Sequence, residues 1–215
     1  MSVELLRGAA RSLGSLRDEV IFVGAATLPL WITDPGADEL RPTKDVDVVV
    51  ELTTRLEYDQ FEARLRSIGF RDDQSQVGRF IFGPDGVMID VIPSDASILG
   101  FENYWQRESI PTSLDVSLGD SLSIRVIRPP NLLATKLEAF QGRGNGDLFG
   151  SKDFEDVVRL VDGRQELVEE VEKSDPALQS YLAGQINALR EDERFPEACA
   201  AHIDPGESGE VRAAT

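Results

Sequence analysis

Cysteine and histidine are almost missing: the 215-residue chain holds one of each, Cys199 and His202. A single cysteine excludes an intramolecular disulfide. A single histidine leaves little room for a zinc centre or for histidine acid–base chemistry. No apolar run reaches the length of a membrane span, and the N-terminus reads as an ordinary amphipathic helix instead of a secretory leader. The expectation is a cytoplasmic protein with no membrane partner. Positive charge is also scarce, with 22 Lys and Arg against 39 Asp and Glu and a net charge of −17. That balance opposes broad electrostatic binding to nucleic acid, and DNA is not an expected partner. A few local basic residues (Arg125, Arg128, Lys136, Arg143) are still enough to guide one phosphate end. The two tryptophans, Trp31 and Trp105, read as packing residues. There are no internal repeats, and 41% hydrophobic residues suffice for one ample domain or a domain with a helical lobe.

What is present points to clustered acids. Thr43-Lys44-Asp45-Val46-Asp47-Val48-Val49-Val50 alternates like a strand behind Pro42. Residues two apart on a strand share a face, about 6.5–7 Å apart, so Asp45 and Asp47 face one way and the valines the other. Side-by-side carboxylates repel and resist desolvation unless a cation lies between them. Hard divalent ions take such oxygen ligands and bring substrate phosphates with them. The bland alternative, an edge strand whose acids deter aggregation, is the commoner origin of this pattern alone. A second strand, Val87-Met88-Ile89-Asp90-Val91-Ile92, is apolar except for Asp90. The Gly83-Pro84-Asp85-Gly86 turn signal makes it one arm of a hairpin with Arg79-Phe80-Ile81-Phe82. Asp90 is either a third carboxylate beside Asp45 and Asp47 or a buried acid paired with Arg41 or Arg79. Upstream, the strand Glu19-Val20-Ile21-Phe22-Val23 runs into Gly24-Ala25-Ala26-Thr27, small residues at a strand-to-helix turn. Such a turn lets backbone approach a phosphate, or simply packs closely.

Gly24-Ala25-Ala26, Asp45-x-Asp47 and Asp90 in a hydrophobic strand follow the motif order of minimal polymerase-β-type nucleotidyltransferases. Two further blocks, 129–140 (Pro-Pro-Asn-Leu-Leu-Ala-Thr-Lys-Leu-Glu-Ala-Phe) and 150–157 (Gly-Ser-Lys-Asp-Phe-Glu-Asp-Val), resemble the third and fourth motifs of the AbiEii/AbiGii-type (MenT-like) nucleotidyltransferase toxins of type IV toxin–antitoxin systems. The resemblance runs from about Val20 to Leu167. It departs at Gly24-Ala25, where the family usually carries two glycines or Gly-Ser. The gap from Gly24 to Asp45, with its Asp34-Pro35-Gly36 turn, is also long.

The resemblance implies Mg²⁺ (or Mn²⁺) on Asp45, Asp47 and Asp90, an NTP as substrate and transfer of NMP to an acceptor hydroxyl such as the tRNA 3′ end. It also implies a cognate antitoxin. Asp45, Asp47, Asp90, Lys136 and Asp153 are the expected catalytic residues. Gly24, Ala25, Thr43, Lys44, Lys136 and Arg143 are the expected nucleotide-binding ones. Lys136 falls at helical spacing inside the apolar stripe Leu133, Leu137 and Phe140, so it either snorkels or reaches the triphosphate; the second is preferred. Ser151 reads as an N-cap to a helix with apolar face Phe154, Val157, Val158 and Val161. Asp153 borders that face and Asp156 points further from it, so Asp153 is preferred as the functional acid of the fourth motif. Other acceptors stay open: an antibiotic or other small molecule, for which the acidic surface suits a cation, or a protein hydroxyl. So does a catalytically silent nucleotide-binding module.

The expected fold is α/β (α+β), a minimal polymerase-β-type nucleotidyltransferase core of mixed sheet with a helical C-terminal lobe. The core spans 1–128, the lobe 129–203, and 204–215 is a loose tail. Helices are expected near 2–17, 25–32, 55–68, 130–141, 151–162, 164–172 and 176–190. Strands are expected at 20–23, 44–51, 77–82, 87–92, 113–118 and 121–127, with a loop at Asn103-Tyr104-Trp105 and a C-terminal helix around Cys199.

Overall fold

The computed structural model describes residues 2–84, 86–100 and 103–203. The expected tail at 204–215 and Asp85 of the hairpin turn lie outside the described residues. The chain divides into two compact units. Met1–Pro29 and Arg41–Arg128 form the first, and Leu30–Leu40 with Pro129–Thr215 form the second.

The first unit opens with α1 (Ser2–Leu13), which buries Leu6, Ala9, Ala10 and Leu13 at helical spacing against the sheet. The helix stops short of the expected residue 17. Gly14 turns to φ +57°, where a side chain would be strained, and a 3-10 segment covers Gly14–Glu19. Then come β1 (Val20–Val23), β2 (Asp45–Val50), α2 (Arg55–Ser67), β3 (Phe70–Asp72), β4 (Arg79–Phe82), β5 (Val87–Pro93), α3 (Ala96–Leu99), α4 (Tyr104–Glu108), β6 (Leu114–Gly119) and β7 (Leu122–Val126). α2 starts at a full capping box, Thr54 accepting from the Glu57 backbone N–H while Glu57 reaches back.

The seven strands form one mixed sheet in the order β3-β4-β5-β2-β1-β7-β6. β2 runs parallel to β5 and β1 parallel to β7; the other pairs are antiparallel. β2 is therefore the middle strand, which removes the edge-strand alternative for Asp45 and Asp47. Val46, Val48 and Val50 are buried on its opposite face, each contributing about 1.5–3 kcal/mol relative to exposure.

Three local expectations are corrected. Residues 25–30 wind as a 3-10 segment (Ala25–Leu30), not an α-helix, with Pro29 inside it and the Thr27 hydroxyl back-bonded to the Gly24 carbonyl. Tyr104 and Trp105 lie in α4, which Asn103 caps, and not in a loop. Strand β3 carries too short a pattern, Phe-Arg-Asp, to stand out in sequence; its pairing with β4 makes it a strand.

The second unit is helical: α5 (Pro129–Gly142), α6 (Lys152–Gly163), α7 (Leu167–Glu172), α8 (Pro176–Arg190) and α9 (Phe195–Ile203). α5 packs on α6, α7 and α8, and α9 on α6 and α8. A cluster of Phe140, Leu148, Phe154, Val158, Ala198 and Ile203 forms its core. α7 starts later than the expected residue 164. Segment 30–40 joins this unit because Thr33 and Asp34 donate their N–H groups to the Gly163 carbonyl (2.8 and 3.0 Å). Arg164 also bonds the Trp31 carbonyl at 2.9 Å and lies over its ring. Both tryptophans are buried, Trp105 in the first unit.

Candidate active site

In the first unit the sheet register assembles the acids. Asp47 on β2 is the parallel partner of Asp90 on β5, and Asp90 is the antiparallel partner of Arg79 on β4. Partners on neighbouring strands lie about 4.8 Å apart and point to the same face. Arg79, Asp90 and Asp47 thus form one row across three strands, with Asp45 two residues back on β2.

Arg79 fills the row with positive charge. Its Nε donates to Asp90 Oδ1 at 2.7 Å, and one terminal nitrogen donates to Asp90 Oδ2 at 2.7 Å and to Asp45 Oδ2 at 2.5 Å. Gln76 adds a bond from its amide to Asp90 Oδ2 at 3.1 Å, and the Thr43 hydroxyl donates to Asp45 Oδ1 at 3.1 Å. Asp90 is 9% exposed, so an uncompensated charge there would be expensive. The hydrogen bonds to Asp90 push the Arg79 pKa further up, keeping it cationic. Of the two sequence alternatives for Asp90, the structure shows both parts at once: it stands in the acid row, and its partner is Arg79.

Asp47 is set by β1. Val23, the last residue of β1, pairs with Asp47, so the turn that follows lies over its carboxylate. A Cβ added at Gly24 would run into Asp47 Oδ2, and Gly24 sits at φ +72°. Only glycine meets both demands. Ala25 and Ala26 continue from it into the 3-10 segment, and Lys44 is exposed beside Asp45.

Lys136, Arg143 and Asp153 belong to the second unit, where they form an ion network. Lys136 Nζ lies 3.1 Å from Asp153 Oδ1 and 2.6 Å from Asp156 Oδ2, with all three side chains buried. Arg143 forks onto Asp153 at 2.7 and 2.8 Å. Burial pushes the Asp153 carboxyl up, but the Arg143 hydrogen bonds and the Lys136 charge outweigh it and hold it below the usual carboxylate range.

Three expectations are corrected here. Asp156 does not point away: at 1% exposure it is deeper than Asp153, and it makes the shorter contact to Lys136. Its signal was available in the three-residue spacing from Asp153, which puts both on one helical face. Val161, expected on the apolar face, is 50% exposed. The Ser151 cap is present, accepting from the Phe154 N–H. α5 is also buried nearly all round, not on one stripe. Arg125 bonds Ile110 O and Ser113 Oγ, and Arg128 bonds Thr112 O, all within the first unit.

The chain matches the family described as nucleotidyl transferase AbiEii toxin, type IV toxin–antitoxin system, over residues 5–198. The chain belongs to this family. It is a nucleotidyltransferase, and membership implies an NTP substrate and an antitoxin partner. A crystal structure of an antigenic nucleotidyltransferase-like protein from Paracoccidioides brasiliensis is similar, with a TM-score of 0.52 and 19% identity over 94% of each chain. At that identity the likeness speaks for the fold. No curated protein matches the chain.

The family typically works with a divalent metal. Among the described residues, no three His, Cys, Asp or Glu side chains stand together as a ready metal-binding group. The chemistry of the donor set nevertheless fits a hard cation. Asp45, Asp47 and Asp90 offer only carboxylate oxygens on one face, and Asp45 and Asp90 already share a cation in the form of Arg79. No described helix is long and apolar enough to cross a membrane.

Proposed function

We propose that this toxin transfers a nucleoside monophosphate from an NTP to an acceptor hydroxyl, that of the tRNA 3′ end, and so arrests growth in the cytoplasm. The observation that carries the reading is the row in which Asp47 and Asp90 are register partners, with Asp45 on the same face. Adjacent carboxylates repel, and three on neighbouring strands call for bound positive charge. Asp45, Asp47 and Asp90 would hold Mg²⁺, which when bound neutralises phosphate charge and orients the attacking and leaving oxygens.

In the transfer, the acceptor oxygen bonds to the α-phosphorus and the bond from that phosphorus to the α,β-bridging oxygen breaks, releasing pyrophosphate. Asp90 takes up the hydroxyl proton. The Gly24-Ala25 turn offers backbone at close approach to the phosphates, with Thr43 and Lys44 beside Asp45. Lys136, held by Asp153 and Asp156, and Arg143 on Asp153 are the second unit's candidate cations for phosphate.

Purified protein incubated with each α-³²P-labelled NTP, Mg²⁺ and total tRNA, beside an Asp45→Ala control, tests this. Label on tRNA that the control lacks supports the reading and names the nucleotide. Transfer only to a cationic small molecule such as an aminoglycoside, which the net charge of −17 favours as a second reading, would replace the acceptor and keep the chemistry. Nucleotide binding without pyrophosphate release would leave a silent module.

A further inference from the structure

Arg79 donates three hydrogen bonds within the acid row, and its position is set by backbone. It follows Gly78, whose carbonyl accepts from the Val91 N–H at 2.8 Å. Gly78 sits at φ +79°, and a Cβ there would lie 3.0 Å from the Val91 carbonyl oxygen. The Arg79 backbone is also bonded on both sides, its carbonyl accepting from Asp73 and its N–H donating to Gln76. The turn between β3 and β4 is thereby fixed against β5, and the freedom left to Arg79 is that of its side chain, which is 18% exposed.

The guanidinium satisfies both oxygens of Asp90 and one of Asp45. These are oxygens that a divalent ion bound by the same carboxylates would need. A cation held this way competes directly with such an ion. A guanidinium fork that matches a carboxylate also matches a phosphate, bidentately and with similar strength.

We infer that Arg79 serves as the internal counter-cation of the unloaded acid row, and that it exchanges its carboxylates for phosphate oxygens of the incoming nucleotide when the row takes up a divalent ion. Arg79 then makes metal alone a poor ligand and metal with nucleoside triphosphate a good one. Release of Asp45 and Asp90 costs the guanidinium its partners, and the triphosphate restores them. Metal and nucleotide are coupled through this one side chain, and the coupling is reciprocal. The inference rests on the metal-dependent reading of the acid row given above.

Titration calorimetry of wild type, Arg79→Gln, Arg79→Lys and Asp47→Ala tests it, first with Mn²⁺ alone and then with Mn²⁺ plus the α,β-methylene analogue of each NTP. Arg79→Gln should bind Mn²⁺ alone at least tenfold tighter than wild type, yet bind the Mn²⁺–analogue complex at least tenfold more weakly. Loss of a merely structural contact would weaken both, so opposite signs are the signature. Arg79→Lys keeps the charge without the fork and should show both changes in the same directions, a few-fold each; it carries the test if Arg79→Gln fails to fold. If both affinities fall together or neither moves while Asp47→Ala abolishes binding, Arg79 is not the exchanging cation, although the acid row still binds metal. If wild type and the Arg79 variants take up no Mn²⁺ with or without the analogues, the metal-dependent reading itself falls and this inference falls with it.

Discussion

Replacing Lys136 with Met should destabilise the second unit strongly, for a reason that can be worked from the ion network. Met is close to Lys in length and apolar, so packing of the stem is retained and the charge alone is removed. Asp153 keeps its Arg143 fork at 2.7 and 2.8 Å. Asp156, which is 1% exposed, loses its 2.6 Å contact to Lys136. Breaking a buried ion pair by deleting one partner costs about 3–5 kcal/mol, because the remaining charge stays desolvated. With a urea slope of about 2–3 kcal/mol/M, the midpoint should drop by about 1–2.5 M. The double variant Lys136→Met/Asp156→Asn removes both charges and should recover more than half of the loss. Arg143→Ala removes a side chain that is 74% exposed, and an exposed ion pair contributes about 1 kcal/mol or less. The measurement is urea unfolding followed by Trp31 fluorescence in a Trp105→Phe background, since the chain has only these two tryptophans. A Lys136→Met midpoint within about 0.5 M of wild type, with no recovery in the double variant, would refute the account of Lys136 as counter-ion to Asp156. Nucleotide transfer measured on the same proteins separates the roles: a double variant with restored stability and absent transfer gives the Lys136–Asp156 pair a part in transfer beyond stability.

Gly24→Ala should lower stability by about 1–2 kcal/mol from the positive φ alone and displace the Asp47 carboxylate; transfer activity should fall further than unfolding free energy does, and equal falls would count against the turn's role. Burial lifts the Cys199 thiol to about 11 against an ordinary 9.0, so at pH 8 its thiolate fraction, and its alkylation by iodoacetamide, should be about a hundredfold below that of the urea-unfolded chain. Because the neutral thiol is favoured when folded, this contribution is present below about pH 9 and is lost as pH rises toward 11. The depressed Asp153 carboxyl acts in the opposite sense: its contribution is present above about pH 4 and is lost as pH falls through its folded value. Arg143→Ala should raise the Asp153 titration seen by carboxyl-resolved NMR and flatten the acid limb of the stability curve; an unchanged Asp153 titration would show that Lys136 alone sets it.

Local sequence grammar was enough for much of this molecule. Alternating valines with two acids declare a strand and its two faces. The Gly-Pro-Asp-Gly signal gives the β4–β5 hairpin, and Ser151 ahead of an apolar period starts α6, because each depends on neighbours within a few residues. The motif order around Gly24, Asp45, Asp47 and Asp90 also points to the family. Register was beyond that grammar. The β4–β5 hairpin brings Arg79 within reach of Asp90, but no local pattern says that Asp47 pairs with Asp90, since that pairing joins residues over forty positions apart through backbone hydrogen bonds that look alike for every residue. For Asp156, spacing shows that it shares a helical face with Asp153 but not what that face meets. Its place under Lys136 depends on how α6 rolls against α5, and packing fixes that roll to within a residue while periodicity alone does not. Sequence supplied the charges and their faces; the tertiary structure decided which opposite charge each acid meets, because compensation inside a protein is settled by distances of a few ångströms that only the packed chain defines.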